Sequence, residues 1–458
     1  MLLPVLFNLN TNKIPQNKAK NSRSVSNTSR TYFNQPEKDI FIPSFKSSVL
    51  TFMQIQMKDK SFSKGAMTPA NPKWQQAIER YSPIEKKPYE IRSDFERDKD
   101  RIIHSEGFDR MRYKTQVFPL CENDMVSTRS SHVLQVTDIA RRICRKLGLN
   151  EELAEAIGLG HDIGHSPFGH DGENSLKKIT QKEGLPEFWH EKNSLRMIDK
   201  ILTLTNTQGE QNNLGLTYAV RDGIINHCGE VDENYIKPRD ASINLEKISE
   251  AGHVQPYTWE GIVVKISDKI AYLGKDIEDA YRLGLYNDKN RNELKNIVKK
   301  YIPDFSGDVN NTVLINIFVN DLIKNSDINK GIGFSKPVFD LMNDIKKYNY
   351  KNIYKLQNAK KLSQNQCDTI IYGIYNHYLK MYKGKDTISS LQNAQNPYTK
   401  NFRNWLIKYT DSPYRSKLLK NEIIYDIAKP DDYKQAIVDY ISGMTDKYAI
   451  KTYNSITV

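Results

Sequence analysis

His161-Asp162-Ile163-Gly164-His165-Ser166-Pro167-Phe168-Gly169-His170, with Glu173 three residues on, gathers three of the chain's nine histidines beside carboxylates in one short stretch. The residues before it read as a helix: Asn150 is a good N-cap type, and Leu153, Ala156, Ile157 and Leu159 recur at helical spacing behind it. A His-Asp pair at a helix end can turn both side chains toward one cation, because the backbone there leaves regular geometry. Imidazole plus carboxylate suits Mn, Fe, Zn or Mg. His161 and Asp162 are therefore candidate metal ligands, and the remaining ligands must project from helices packed alongside. His132 and Asp268 meet that need. His132 enters an amphipathic pattern of Val133, Val136, Ile139, Ala140 and Ile143 that Gly148 stops. Asp268 is read as beginning a helical face that Tyr272 and Asp276 continue at four-residue steps, within a strong helical pattern over 259–282.

Working outward, residues 101 to about 285 are repeatedly helical, with strand-like alternation only near 113–118. The predicted fold is mostly α: a helical bundle core over 61–285. Residues 286–458, rich in Lys, Asn and Tyr, carry thinner apolar stripes at 313–323, 369–382 and 432–453. They are expected to form a C-terminal helical lobe that packs on the core and completes its pocket. A helix is expected over 73–81, broken by Ser82-Pro83. Residues 1–60 lack sustained apolar periodicity and read as a flexible low-complexity extension, with Met53 or Met57 as alternative starts.

The chain has 458 residues, 38% hydrophobic and 27% charged, enough for a sizeable core. No run reaches the roughly 18–20 apolar residues of a membrane span, and the opening MLLPVLFNL lacks the basic start and cleavage site of a secretory signal. A soluble, cytoplasmic protein with no membrane partner is expected. Cys121, Cys144, Cys228 and Cys367 show neither CxxC pairing nor regular spacing, so reduced thiols are expected. A net charge of +12 suits a polyanionic small substrate or a nucleic acid.

The ordered series His132, His161-Asp162 and Asp268 resembles the H…HD…D signature of the HD superfamily. Flanking stretches are similar to the deoxyguanosine triphosphate triphosphohydrolase family: Arg101-Ile102-Ile103-His104-Ser105, Tyr113-Lys114-Thr115-Gln116-Val117-Phe118, Pro167-Phe168-Gly169-His170 with Gly172-Glu173, and Gly443-Met444-Thr445-Asp446. The matches span about residues 88 to 453. The resemblance implies an HD-domain bundle and a divalent metal cofactor, Mn²⁺ or Mg²⁺, with Fe, Co or Zn as further options. It also implies one-step hydrolysis of a dNTP substrate to deoxynucleoside and triphosphate. His170 and Glu173 fall where that family places a catalytic dyad, His170 moving a proton and Glu173 orienting the ring. Arg129, His165 and His190 match positions near the phosphates. Lys269 stands where relatives contact phosphate or carry an acid. Tyr272, Asp276 and Gln116 resemble residues around the sugar, a Tyr ring excluding a 2′-hydroxyl. Lys275 departs from a histidine common there. Relatives assemble, so a homo-oligomer is expected, with a nucleotide or single-stranded DNA as an effector; dNTP pool control and antiviral nucleotide depletion are the implied settings.

Two other readings keep parts of this pattern. The same cage could serve a phosphodiesterase or phosphatase acting on another nucleotide, or a nucleic-acid-binding regulator with little turnover. Outside the motif, His104, His227 and His253 are read as packing or surface residues. The run 262–266 is read as core, and Lys299-Lys300 and Lys360-Lys361 as solvated helix faces. The Gly443 to Asp446 tract is expected to shape the far wall of the pocket, with a structural turn as its competitor and Asp446 outside the ligand set.

Overall fold

Ser93, Asn150 and Thr258 each begin a helix in the computed structural model by accepting backbone N–H groups of the first turn. The structure describes residues 62–457 apart from 86–88, 120–122, 229–232 and 355–356, with backbone alone over 357–362. The expected 1–60 extension, Met53, Met57, Cys121 and the Lys360-Lys361 side chains fall outside the described residues. The longer helices are α1 (Asp94–Ile103), α2 (Arg129–Leu147), α3 (Glu151–Gly160), α4 (Gly169–Glu183), α5 (His190–Arg196), α6 (Tyr218–Ile225) and α7 (Trp259–Arg282). After them come α8 (Asp288–Tyr301), α9 (Asn311–Asn325), α10 (Lys336–Asn349), α11 (Gln357–Leu379), α12 (Pro397–Tyr409), α13 (Pro430–Ser442) and α14 (Asp446–Thr457). The fold is mostly α.

The bundle around the site is built by α2, α3, α6 and α7. Val133, Val136, Ile139, Ala140 and Ile143 of α2 are buried against α3 and α7, and Ile262, Val263 and Val264 of α7 are buried among them. Gly148, at φ 77°, ends α2 in the left-handed conformation that glycine adopts without strain. Asn150 caps α3 by accepting from Glu152 N at 2.9 Å and Leu153 N at 3.1 Å. Buried Glu260 accepts from Met67 N and Asn150 N, each at 2.9 Å, fixing the start of α7 to that cap. Beyond residue 285 the chain packs directly on the bundle: α9 and α10 lie against α7, and α11 lies against α4 and α14. The described residues fall in one compact unit. Among them no helix is long and apolar enough to cross a membrane.

The local readings differ from the structure at four places. The 73–81 helix shrinks to Trp74–Ala77, because Arg80 pairs with Thr217 in a backbone bridge and its guanidinium reaches Asp98 at 2.6 Å and Asp94 at 2.8 Å. The alternation at 113–118 gives only one isolated bridge, Thr115 with Thr128. The antiparallel pair instead joins β1 (Thr203–Thr205) to β2 (Gln211–Asn213), with Leu204 opposite Asn212. Residues 432–453 form two helices, α13 and α14, separated by Gly443-Met444-Thr445. Asp268 lies in the interior of α7, a full two turns after its start, so the helix delivers it from a rigid position.

Candidate active site

α3 ends at Gly160, and His161 still has helical dihedrals while Asp162 begins the turn beyond. His161 Nδ1 pairs with Gly158 O at 2.7 Å, which aims Nε2 inward; that atom is buried with no hydrogen-bond partner. From α2, His132 Nε2 comes within 2.9 Å of Asp268 Oδ1 and 3.9 Å of Asp162 Oδ2. His161 Nε2 stands 3.7 Å from Asp162 Oδ2 and 4.0 Å from Asp268 Oδ1. Donor atoms that each lie about 2.0–2.2 Å from one cation are separated from each other by distances of this size. Two imidazoles and two carboxylates from α2, the α3 exit and α7 thus surround one point.

The electrostatics suit a cation there. Burial alone would raise the Asp162 carboxyl, but Arg129, His161 and His165 outweigh it and hold it well below the usual range. Asp268 is likewise opposed by burial, yet the His132 contact brings it down to about 2. Burial lowers His161, leaving its imidazole neutral and able to donate a lone pair. The orphaned Nε2 and the two ionised carboxylates fit a divalent cation.

A tight turn carries the next residues. Phe168, just before α4, and Gly169, its first residue, both adopt positive φ, 65° and 57°. A Cβ on Gly164 would sit 2.1 Å from Ser194 N, and one on Gly172 would sit 1.8 Å from Pro167 O, so both positions require glycine. His165 is buried with neither ring nitrogen hydrogen-bonded, and its ring stacks on His190 with centroids 4.3 Å apart. Burial and the nearby Arg129 and His190 hold it well below the ordinary histidine range. Exposed His170 pairs through Nδ1 with Glu173 Oε2 at 2.9 Å. Glu173 Oε1 also accepts from His190 N at 2.8 Å and contacts its Nδ1 at 3.0 Å. Despite burial, His190 and His170 keep Glu173 well below the carboxylate range. The expected dyad is therefore one carboxylate orienting two imidazoles.

All the predicted site residues except His161 and Glu173, which lie just behind its wall, line one cavity of about 620 Å³. Arg129 is turned to Asp162 Oδ2 at 2.5 Å and to the carbonyls of Gln116 and Thr115, at 2.7 and 3.2 Å. Gln116 Oε1 and Asp276 Oδ1 are buried without hydrogen-bond partners, while the other Asp276 oxygen accepts from Tyr354. Lys269 and Tyr272 face the same cavity from α7.

The family models match the HD domain over residues 129–273 and the phosphohydrolase-associated domain over 405–455. The first range contains all four metal-ligand candidates. A deoxyguanosinetriphosphate triphosphohydrolase-like protein of Caldanaerobacter subterraneus subsp. tengcongensis is 32% identical over 375 residues, 81% of this chain and 87% of that one. The chain belongs to this family. Proteins of the same description from Clostridium tetani and Clostridium perfringens are 32% and 33% identical, over 81% of this chain and 87% and 89% of theirs. A solved structure of a hypothetical protein from Aquifex aeolicus aligns at 17% identity with a TM-score of 0.37, over 69% of this chain and 79% of that one. Family membership makes the chain a hydrolase of the HD superfamily, and its His/Asp cluster is of the kind that holds a divalent metal.

Several residues of this cavity lay outside the sequence reading. His227, read as a packing or surface residue, is buried at the exit of α6, and its Nε2 is 3.9 Å from Asp162 Oδ1. Its Nδ1 pairs with Ile224 O at 2.7 Å, three residues back, as His161 pairs with Gly158. That repeated device, a histidine closing a buried helix, was the available signal. Lys346, Tyr350, Ile353 and Tyr354 form the far wall of the cavity. Asp446 instead sits behind the histidine turn, accepting from Thr115 N at 3.0 Å and Phe168 N at 2.9 Å. The structural alternative for the Gly443 tract is the one observed. His104 and His253 are on the surface.

Proposed function

We propose that this protein is a divalent-metal-dependent dNTP triphosphohydrolase, releasing a deoxynucleoside and inorganic triphosphate. The observation that carries the reading is the convergence of His132, His161, Asp162 and Asp268 at the wall of a cavity large enough for a nucleotide. The relatives' description as deoxyguanosinetriphosphate triphosphohydrolase-like supports it.

His132, His161, Asp162 and Asp268 would hold the cation. When bound, a divalent ion polarises a phosphoryl oxygen and lowers the pKa of water beside it. The protein's own groups do the rest. His165 and Arg129 border the space next to the ligands, where a neutral imidazole and a guanidinium can hold phosphate oxygens. Hydrolysis at the α-phosphate adds water's oxygen to phosphorus and expels the 5′-oxygen, which must gain a proton. His170, held by Glu173 and open to the cavity, is placed to move a proton in that exchange. Tyr272 and Asp276 lie together on α7 one turn apart, the Tyr ring to pack the sugar and the unpartnered Asp276 Oδ1 to accept its 3′-hydroxyl. Gln116 offers a second unpartnered oxygen on the same side.

Product analysis tests the reading. Protein incubated with each dNTP and Mn²⁺ or Mg²⁺ should yield deoxynucleoside and intact triphosphate by ion-exchange chromatography. Release of pyrophosphate or orthophosphate as the first product would assign a different phosphohydrolase, and no turnover of any dNTP would remove the assignment.

A further inference from the structure

Lys114 is buried, with 2% of its surface exposed. Its Nζ donates to the main-chain carbonyl of His165 in the histidine turn and, at 2.9 Å, to that of Ser442 at the end of α13. A buried ammonium is ordinarily paired with a carboxylate, because taking an ion out of water is costly. Here both acceptors are carbonyls, so the donors are spent on fixing main chain. Burial and the nearby Arg110 pull the ammonium down to about 7; Asp446 and Asp162 oppose that fall, and Arg129 adds to it. The hold matters most at His165. Each of the other histidines around the cavity has an oxygen at hydrogen-bond distance from a ring nitrogen: Asp268 for His132, Gly158 O for His161, Glu173 for His170 and His190, and Ile224 O for His227. Neither ring nitrogen of His165 has one, and its ring stacks on His190 instead. An imidazole left free to meet a ligand must be placed through its own main chain. Among the described residues, Lys114 supplies the one side-chain hydrogen bond to the main chain of His165.

We propose that Lys114 is a positioning residue: through the His165 carbonyl it sets that imidazole at the phosphate side of the cavity and ties it to the end of α13, within the phosphohydrolase-associated part of the chain. This rests on the reading of the cavity as a dNTP triphosphohydrolase site. A contact that holds phosphate equally in the bound substrate and in the transition state changes KM and leaves kcat nearly constant. Loss of the ammonium should therefore weaken phosphate binding without slowing the chemical step. A purely packing role would lower Tm and leave KM where it was.

The test uses full-length protein in excess Mn²⁺, with inorganic triphosphate as the inhibitor. Lys114→Met removes the charge and the donors but keeps an unbranched chain. Its KM for the dNTP hydrolysed fastest and its inhibition constant for triphosphate should both rise about tenfold, as for the loss of one charge-assisted hydrogen bond, with kcat within about threefold of wild type. Bound Mn²⁺ and the far-ultraviolet circular dichroism spectrum should not change. Unchanged constants, a fall in kcat with KM constant, or loss of bound Mn²⁺ would each overturn the proposal and leave dNTP hydrolysis standing. No turnover of any dNTP by the wild type would overturn both. If Lys114→Met does not fold, Lys114→Arg decides, because its guanidinium stays charged where the lysine titrates. Between about pH 6 and pH 8.5 the wild type loses the Lys114 proton, so the ratio of wild-type to Lys114→Arg inhibition constants should rise, while titration of triphosphate and of the histidines cancels in that ratio. A flat ratio would overturn the proposal.

Discussion

At the scale of single residues, the proposed function assigns some groups to hold a cation and others to move a proton. His161→Ala should lose both cation and activity, because its Nε2 is a buried atom with no other partner. His170→Ala should keep the cation content yet lower kcat by about 10²–10⁴-fold, since an exposed imidazole anchored only to Glu173 contributes through proton transfer. Metal analysis beside steady-state rates checks the pair; equal rates in both variants and wild type would remove the assignment. Asp276 gives a pH signature. Burial pushes it up to about 7, against the opposing hydrogen bond from Tyr354. An unfolded aspartate titrates near 3.9, so between about 4 and 7 the folded chain binds the extra proton. Stability therefore falls with rising pH across that window and levels off above it. Asp276→Asn should remove this slope, leaving a variant that gains on the wild type from pH 4 to pH 8 in denaturant unfolding. Parallel curves for the two proteins would reject it.

At the scale of elements, the histidine turn and the α13–α14 break depend on each other. Phe168 holds a left-handed φ that costs a non-glycine residue roughly 1–3 kcal/mol, and Asp446 stabilises it by accepting from its N–H. Asp446→Ala leaves the Thr115 and Phe168 N–H groups, both partly buried, without their acceptor, at about 1–3 kcal/mol in all. Calorimetry should show a lower Tm and rate assays a lower kcat; an unchanged Tm would mean that the contact carries no stability. Gly172→Ala meets Pro167 O, a backbone atom that cannot swing aside, so cation content and activity should fall together. Retention of both would show the turn to be more compliant than its packing suggests. The glycines and the Pro-Phe-Gly series of this turn are visible in the sequence. Their clamp by a residue nearly 280 positions on is not, because a carboxylate that accepts backbone N–H groups leaves no periodic trace.

At the scale of the whole molecule, a cation would join α2, the α3 exit and α7, adding to their apolar packing and to the polar contacts of Arg129 with Asp162 and of Glu260 with Asn150. Binding to the folded state alone stabilises it by about 2.7 kcal/mol at a hundredfold excess over Kd. Stripping with a chelator should lower Tm by a few degrees, and Mn²⁺ should restore it in differential scanning calorimetry. A Tm indifferent to both would argue against a cage spanning these helices. The cavity is equally a property of the whole: α7 supplies one wall, and Lys346, Tyr350, Ile353 and Tyr354 from the end of α10 onward supply the other.

Residue types and their order determined by themselves the helical class, the caps at Asn150 and Gly148, and four candidate donors that the fold brings together, because helix periodicity and metal-donor chemistry are written locally. Tertiary structure alone decided that Glu173 serves two imidazoles, that His227 comes up to Asp162 and that Asp446 clamps the histidine turn. The reason is physical: a buried histidine or aspartate is defined by the partner it meets across the fold, and a single sequence does not specify which distant atom that will be.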